Sequence, residues 1–298
     1  MMDVMDASGL LVIDKPPGLT SHQVVARVRR LMGTRKVGHA GTLDPMATGV
    51  LICGVNRATR LLGHLALHDK RYLATIRLGE ATTTDDAEGE SLSLGDASGV
   101  ELQAVEAAVA HYRGRISQVP SAVSAIKVDG KRAYARVRQG EEVVLAAREV
   151  EVTRFDVLDA RPVGAWLDVD VDVECSSGTY IRALARDLGR DLGVGGHLTA
   201  LRRTRIGNFD LSLATTTDIV TFDAGTPAPP LISMADAARL SFACLDVDAD
   251  TERDIRVGRS LNLTLPGDPT GLIAGDLLAL YRPDAEAPGV ARPVAVLV

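Results

Sequence analysis

The sequence has 298 residues and is 46% hydrophobic, enough to bury a large core, so it is not a disordered chain. With 33 Lys and Arg against 39 Asp and Glu, its formal net charge is −6, and only 3% of it is aromatic. Those values exclude a generic basic nucleic-acid binder and a broad base-stacking platform.

Leu10–Asp14 is a short apolar strand candidate, stopped by Lys15-Pro16-Pro17-Gly18. A helix follows, capped by Thr20 or Ser21, with Gln23 three residues after Thr20 as a capping box. Its apolar stripe is Val24, Val25, Val28 and Leu31, and Gly33 ends it. From Gly38 to Pro45 a glycine-rich loop is expected, then a buried strand, Val50–Val55. Asn56 is expected to cap a second helix with Ala58, Leu61, Leu62 and Leu65 on one face. Tyr72, Ala74, Ile76 and Leu78 alternate with more polar neighbours, as in a half-buried strand. Residues 81–99 read as a polar, acidic connection, 101–112 as a helix, and Val150–Phe155 as a strand.

In Leu167–Cys175 the apolar residues alternate with Asp168, Asp170, Asp172 and Glu174, which predicts an antiparallel sheet with one wet face. Ser176-Ser177-Gly178-Thr179 turns into a helix with Ile181, Leu184, Ala185 and Leu188 inward. Asp223–Pro230 reads as a linker, and Met234–Leu240 as a short helix before strand-like pieces. The balance is α+β, with a small β-rich C-terminal domain. The N-terminal residues, with Asp3 and Asp6, lack the pattern of a signal peptide, and no apolar run approaches a membrane span, so a cytoplasmic protein is expected. Cys53, Cys175 and Cys244 lie far apart and read as reduced thiols.

The net charge conceals local blocks. Residues 1–80 hold 11 basic and 6 acidic residues, while residues 211–298 hold 6 basic and 12 acidic. Positive charge gathers at Arg27/Arg29/Arg30/Arg35/Lys36, at Lys127/Lys131/Arg132/Arg136/Arg138, and at Arg182/Arg186/Arg190 with Arg202/Arg203/Arg205. Such runs are commonly solvated faces, but converging blocks would make an anion-binding groove.

Asp44 is confined by Pro45 to extended geometry, between glycines that permit tight turns. A carboxylate held in this way suits a nucleophile, a base or a metal ligand, and equally an Asx-type turn. Around it, Gly38–Leu51 (GHAGTLDPMATGVL) resembles the catalytic motif of the TruB-type tRNA pseudouridine synthases. Further motifs follow in that family's order: Asp14–Ser21 (DKPPGLTS), Lys70-Arg71-Tyr72, and Arg77-Leu78-Gly79 with Thr82, Thr84, Asp86 and Gly89. Ser124-Ala125 with Lys127–Tyr134 (KVDGKRAY), Cys175–Arg182 (CSSGTYIR) and Leu201–Gly207 (LRRTRIG) complete the set, so the resemblance covers roughly residues 10–210.

The resemblance implies isomerisation of one uridine in the T-loop of tRNA, position 55, to pseudouridine. It implies a pseudouridine synthase fold, with a mixed, largely antiparallel central sheet flanked by helices. The catalytic domain would span 1–230, with an RNA-binding insertion at about 117–150, and a PUA-like domain 231–298. Asp44 matches the catalytic aspartate and Arg182 the arginine that pairs with it. Tyr72 matches a tyrosine that stacks on the flipped uracil. Lys15, Tyr180 and Leu201 fall near the site, and Tyr180 and Arg182 both face it only if the chain there is still extended. His39 matches a histidine that enters the RNA stack where the uridine left. Lys127, Lys131, Arg132 and Arg136 are the candidates for phosphate contacts. The chemistry requires no cofactor or metal. The partner would be tRNA, with no membrane and no obligate protein partner, and the protein a monomer.

This sequence departs from the family's common pattern at Ala40, Val123 and Val137-Arg138-Gln139-Gly140, and its residues 235–298 are short and acidic. Three other readings stay open: a non-catalytic tRNA-binding or tRNA-folding protein on the same scaffold, the guide-RNA-dependent relative of the family, and an unrelated hydrolase using Asp44.

Overall fold

Residues 7–121, 145–222 and 226–298 are described by the structure, a computed structural model, together with the backbone of two short strands at Lys127–Val128 and Lys131–Arg132. The chain divides into two units, Met1–Leu67 with Arg205–Val298, and His68–Thr204.

The first unit begins with strand β1 (Gly9–Lys15), apolar and buried nearly throughout. Helix α1 (Ser21–Leu31) has the expected capping box between Thr20 and Gln23 and buries Val24, Val25 and Val28. Gly33 follows its C-cap with a φ of +64°, the left-handed turn that glycine adopts without strain. Strand β2 (Val37–Ala40) pairs antiparallel with β3 (Thr48–Val55), which also pairs with β1. The glycine-rich loop is thus shorter than expected: Gly38, His39 and Ala40 are strand residues held by the β3 ladder, and the loop starts at Gly41.

The helix expected after Asn56 is a 3-10 turn, Asn56–Leu61, running into one α-helical turn, α2 (Leu62–Leu65). Asn56 does not cap it. Its backbone sits at φ +53° and its side chain bonds Ala7 O and Thr34 Oγ1. The expected face, Ala58, Leu61, Leu62 and Leu65, is buried all the same.

The second unit contains β4 (Lys70–Leu78), then a two-stranded sheet, β5 (Glu80–Thr82) with β6 (Ser91–Leu94), inside the stretch expected as a plain connection. Helix α3 (Leu102–Ala110), β7 (Gly114–Gln118) and the paired short strands β8 (Lys127–Val128) and β9 (Lys131–Arg132) follow. Strand β10 (Arg148–Val163) is much longer than Val150–Phe155, because it turns at Gly164 and pairs along its length with β11 (Trp166–Cys175). Helix α4 (Ile181–Asp191) and β12 (Gly196–Ile206) complete the unit, in which the strand order is β12-β4-β11-β10-β7.

The acidic row of β11 lies on the solvent side of the sheet, where Leu73 of β4, opposite Asp172, is exposed, but the acids themselves are covered by partners. Arg71 bonds Asp172, Arg77 bonds Asp168, and Thr75 bonds Asp170, so that Asp168 and Asp172 are buried. The reason is cross-strand: the facing row of β4 carries Arg71, Thr75 and Arg77, and opposite charges on neighbouring strands pair. The bond from Arg161, with that from Thr75, holds the Asp170 carboxyl below its ordinary range.

Back in the first unit, β13 (Phe209–Asp210) forms a hairpin with the end of β12, and β14 (Ile232–Ser233) pairs with β1. Of the expected linker, Asp223, Ala224 and Gly225 lie outside the described residues. Helix α5 (Met234–Ser241) is capped by Ser233 and α6 (Ala249–Arg256) by Asp248. Strands β15 (Ala243–Asp246), β16 (Leu261–Asn262), β17 (Thr270–Ala274), β18 (Asp276–Pro283) and β19 (Val290–Val296) form one sheet, ordered β15-β17-β18-β19-β16. This C-terminal sheet has its own strands but not a fully separate interior: Leu277, Leu280 and Leu297 share a core cluster with Leu10, Val12, Ile52 and Leu61. Among the described residues, no helix is long and apolar enough to cross a membrane.

Candidate active site

Asp44 lies half-buried in the loop between β2 and β3, where Gly41 and Gly49 take φ of +86° and +98°. Its main chain is held on both sides by the segment that follows β1. Ser21 Oγ accepts from Leu43 N (2.8 Å) and donates to Leu43 O (3.0 Å). Gly18 N donates to Pro45 O at 2.8 Å. Lys15, with a side chain 0% exposed, donates from Nζ to Pro45 O (3.1 Å), Ala47 O (2.6 Å) and Pro16 O (2.9 Å). Ala47 N closes a turn on Asp44 O at 3.1 Å. A buried ammonium satisfied by three carbonyls is a strong anchor, because unsatisfied it would carry a large desolvation cost. Lys15, Gly18 and Ser21 therefore act on the backbone of the loop that carries Asp44. In the sequence Gly18 stands out only as part of the stop after the first strand and Ser21 only as an alternative helix cap, both within the DKPPGLTS motif.

His39 is half-buried on β2, opposite Cys53, and its ring meets that of His22 edge-on at 5.5 Å.

In the His68–Thr204 unit, Tyr72 is buried on β4, opposite Val173 of β11. Leu201 is buried on the neighbouring β12, whose Thr199 and Thr204 hydroxyls bond Thr75 O and Arg71 O. The same unit buries two cations, Lys70 and Arg203. Lys70 donates to His68 O at 2.7 Å, and burial, with Arg203 nearby, brings its ammonium down to about 8. Neither cation was singled out as a site residue from sequence.

Helix α4 packs on β4 and carries Arg182 in its first turn, not in an extended stretch. Tyr180 is the N-cap residue, half-buried, with extended backbone. The expected condition for Tyr180 and Arg182 to point the same way is therefore not met: the helix begins between them. Arg182 Nη1 donates to Thr84 O at 2.8 Å and lies 3.3 Å from Asp86 Oδ2, both side chains almost fully buried. Asp86 is fixed in turn by Thr84 Oγ1 (2.5 Å) and Glu88 N (3.1 Å), and Gly89 leaves no room for a Cβ against Thr84. Asp86 belonged to a quoted motif, but only the fold reveals that it faces Arg182, almost a hundred residues away.

The side chains of Lys127, Lys131 and Arg132, and the whole of Arg136, lie outside the described residues. Among the described residues, no three His, Cys, Asp or Glu side chains gather as a metal site requires. Burial pushes the Cys53 thiol up to about 12 and the Cys175 thiol to about 11, so both are inert at neutral pH.

Two family models match consecutive stretches of the chain. They are TruB family pseudouridylate synthase (N terminal domain), over residues 29–181, and tRNA pseudouridylate synthase B C-terminal domain, over residues 182–224. The chain is 63% identical over 293 residues to tRNA pseudouridine synthase B of Cutibacterium acnes, covering 98% of each. It is 53% identical over 298 residues to the protein of that name from Streptomyces griseus, covering 97% of this chain and 96% of that one. Among solved structures, a Cbf5-Nop10-Gar1 complex matches with a TM-score of 0.68 at 24% identity, over 97% of this chain and 85% of that one. An archaeal box H/ACA sRNP Nop10-Cbf5 complex matches at 0.67 and 26%, over 97% and 84%.

Proposed function

The chain belongs to the TruB family of pseudouridylate synthases and has their α+β fold. From that premise we propose that it isomerises a uridine of tRNA to pseudouridine, at position 55 of the T-loop. The observation that carries the catalytic assignment is the mount of Asp44, whose neighbours on both sides are tied down by Ser21, Gly18 and Lys15. Holding a reacting group in one geometry before the substrate arrives is a main source of enzymatic rate.

The reaction breaks the N1–C1′ bond of the target uridine and forms C5–C1′. The hydrogen on C5 leaves and N1 gains one, so atoms balance without an oxidant, a group donor, a cofactor or a metal. Asp44 is the nucleophile toward the flipped nucleoside. Arg182 is the arginine that the family resemblance assigns to it as a partner. Tyr72 stacks on the uracil, with Leu201 beside it, and Lys15 serves the site through the loop backbone. Flipping a base out of a folded loop costs about a few kcal/mol, and His39 offsets part of it by entering the stack. Lys127, Lys131, Arg132 and Arg136 contact phosphates, giving affinity rather than base choice. The protein acts in the cytoplasm as a monomer on tRNA, with no obligate protein partner.

The test is tritium release from tRNA labelled at uracil C5. Wild type releases it, and Asp44→Asn binds the same tRNA without release. Binding without release by the wild type would favour the tRNA-binding reading instead.

A further inference from the structure

A helix begins with backbone N–H groups that have no partner inside it, and a Ser, Thr, Asp or Asn at the N-cap is the usual remedy. Helix α4, which carries Arg182, starts without one: its N-cap is Tyr180, and the Tyr180 side chain makes no capping bond. The helix start is gripped from outside. Gln118, 1% exposed at the end of β7, accepts from Tyr180 N at 2.8 Å through Oε1 and donates to Tyr180 O at 3.1 Å through Nε2. One planar amide thus holds both polar groups of one residue and fixes the peptide planes leading into Arg182.

A second grip lies one turn further on. Arg186 Nη2 donates to Val119 O at 2.8 Å, while Nη1 pairs with Asp85 at 3.2 Å. Asp85 stands between Thr84 and Asp86, the groups that hold Arg182. The start of α4 is therefore clamped by residues 118–119 on one strand end and by residues 84–86 on one loop. Residues 118 and 119 are also where the chain enters the 117–150 insertion.

We infer that Gln118 is a positioning residue for Arg182, and that Gln118 and Val119 at the end of β7 set the placement of the helix start. The inference rests on the proposed role of Arg182.

Gln118→Met keeps the side-chain volume and removes both bonds to Tyr180. An arginine displaced by about 1 Å costs up to about a hundredfold, so the single-turnover rate of tritium release should fall about 30-fold. The tRNA Kd should stay within about threefold, because phosphate contacts carry the affinity. Gln118→Glu keeps the acceptor for Tyr180 N but loses the donor to Tyr180 O, so it should recover only part of the loss. In an Arg182→Lys background the methionine variant should add much less than its own effect, since residues acting as a unit are not additive. Should Gln118→Met be unfolded by its melting curve, Arg186→Gln carries the same test. A methionine variant with wild-type turnover overturns the inference. So does a loss in tRNA affinity alone, or a full multiplicative effect on Arg182→Lys. No release by the wild type overturns the underlying reading, and this inference with it.

Discussion

Replacing Ser21 with alanine deletes one oxygen that makes two bonds, both to Leu43, the residue before Asp44. Ser21 and Leu43 are 1% and 3% exposed, so water cannot take the place of the lost hydroxyl without rearrangement. A buried polar group left without its partner costs about 1–3 kcal/mol, and here an N–H and a C=O lose theirs together. The loop is still held at Pro45 and Ala47 by Lys15 and Gly18, which limits the relaxation to the Leu43 side. The expected destabilisation is about 2–4 kcal/mol. The expected rate loss is about 10- to 100-fold, since the carboxylate shifts by a fraction of its reacting distance. Single-turnover tritium release with enzyme in excess reads the rate, filter binding reads the tRNA Kd, and urea unfolding reads stability. Ser21→Thr retains the hydroxyl and should keep most of the activity. An alanine variant with wild-type turnover would refute the claim that the mount of Asp44 matters.

Three further outcomes are expected. Asp86→Asn removes the charge facing Arg182 across a buried 3.3 Å pair, and breaking such a pair costs about 3–5 kcal/mol, so melting temperature and turnover should both fall; unchanged turnover would show that Arg182 does not depend on Asp86. Lys70 has its ammonium lowered to about 8 from 10.5, so between those values the unfolded chain binds more protons and stability rises with pH. Lys70→Met should remove that rise in urea midpoints taken from pH 8 to 10, and an unaltered slope would contradict the assignment. Finally, tRNA affinity should fall steeply with salt, and alanine at Lys127, Lys131, Arg132 and Arg136 should each reduce the slope of log K on log salt by about 0.7–0.9; salt-independent binding would remove the phosphate role.

Elements with local causes were legible in the sequence. The capping box of α1 depends on residues three apart, the strand at Leu10 on an unbroken apolar run, and the face of α4 on a helical period. Elements with distant causes were not. Strand β2 exists because β3 supplies its ladder, so Gly38–Ala40 read as loop. Strand β10 runs to Val163 because β11 folds back along it. The pairing of the β11 acids was not legible either, because their partners, Arg71 and Arg77, lie about a hundred residues earlier.

The same division holds for the candidate site. The sequence by itself determined which residue types the chemistry has available: Asp44 confined by a proline, Tyr72 on an alternating strand, an arginine at a helix start, and basic blocks that a net charge of −6 conceals. Only the tertiary structure decided what holds them. Lys15 and Ser21 grip carbonyls and amides of the Asp44 loop, Asp86 faces Arg182, and Gln118 grips Tyr180. Chemical identity is written residue by residue. A hydrogen-bond partner is chosen by which backbone groups the fold buries next to each other, and no spacing along the chain encodes that.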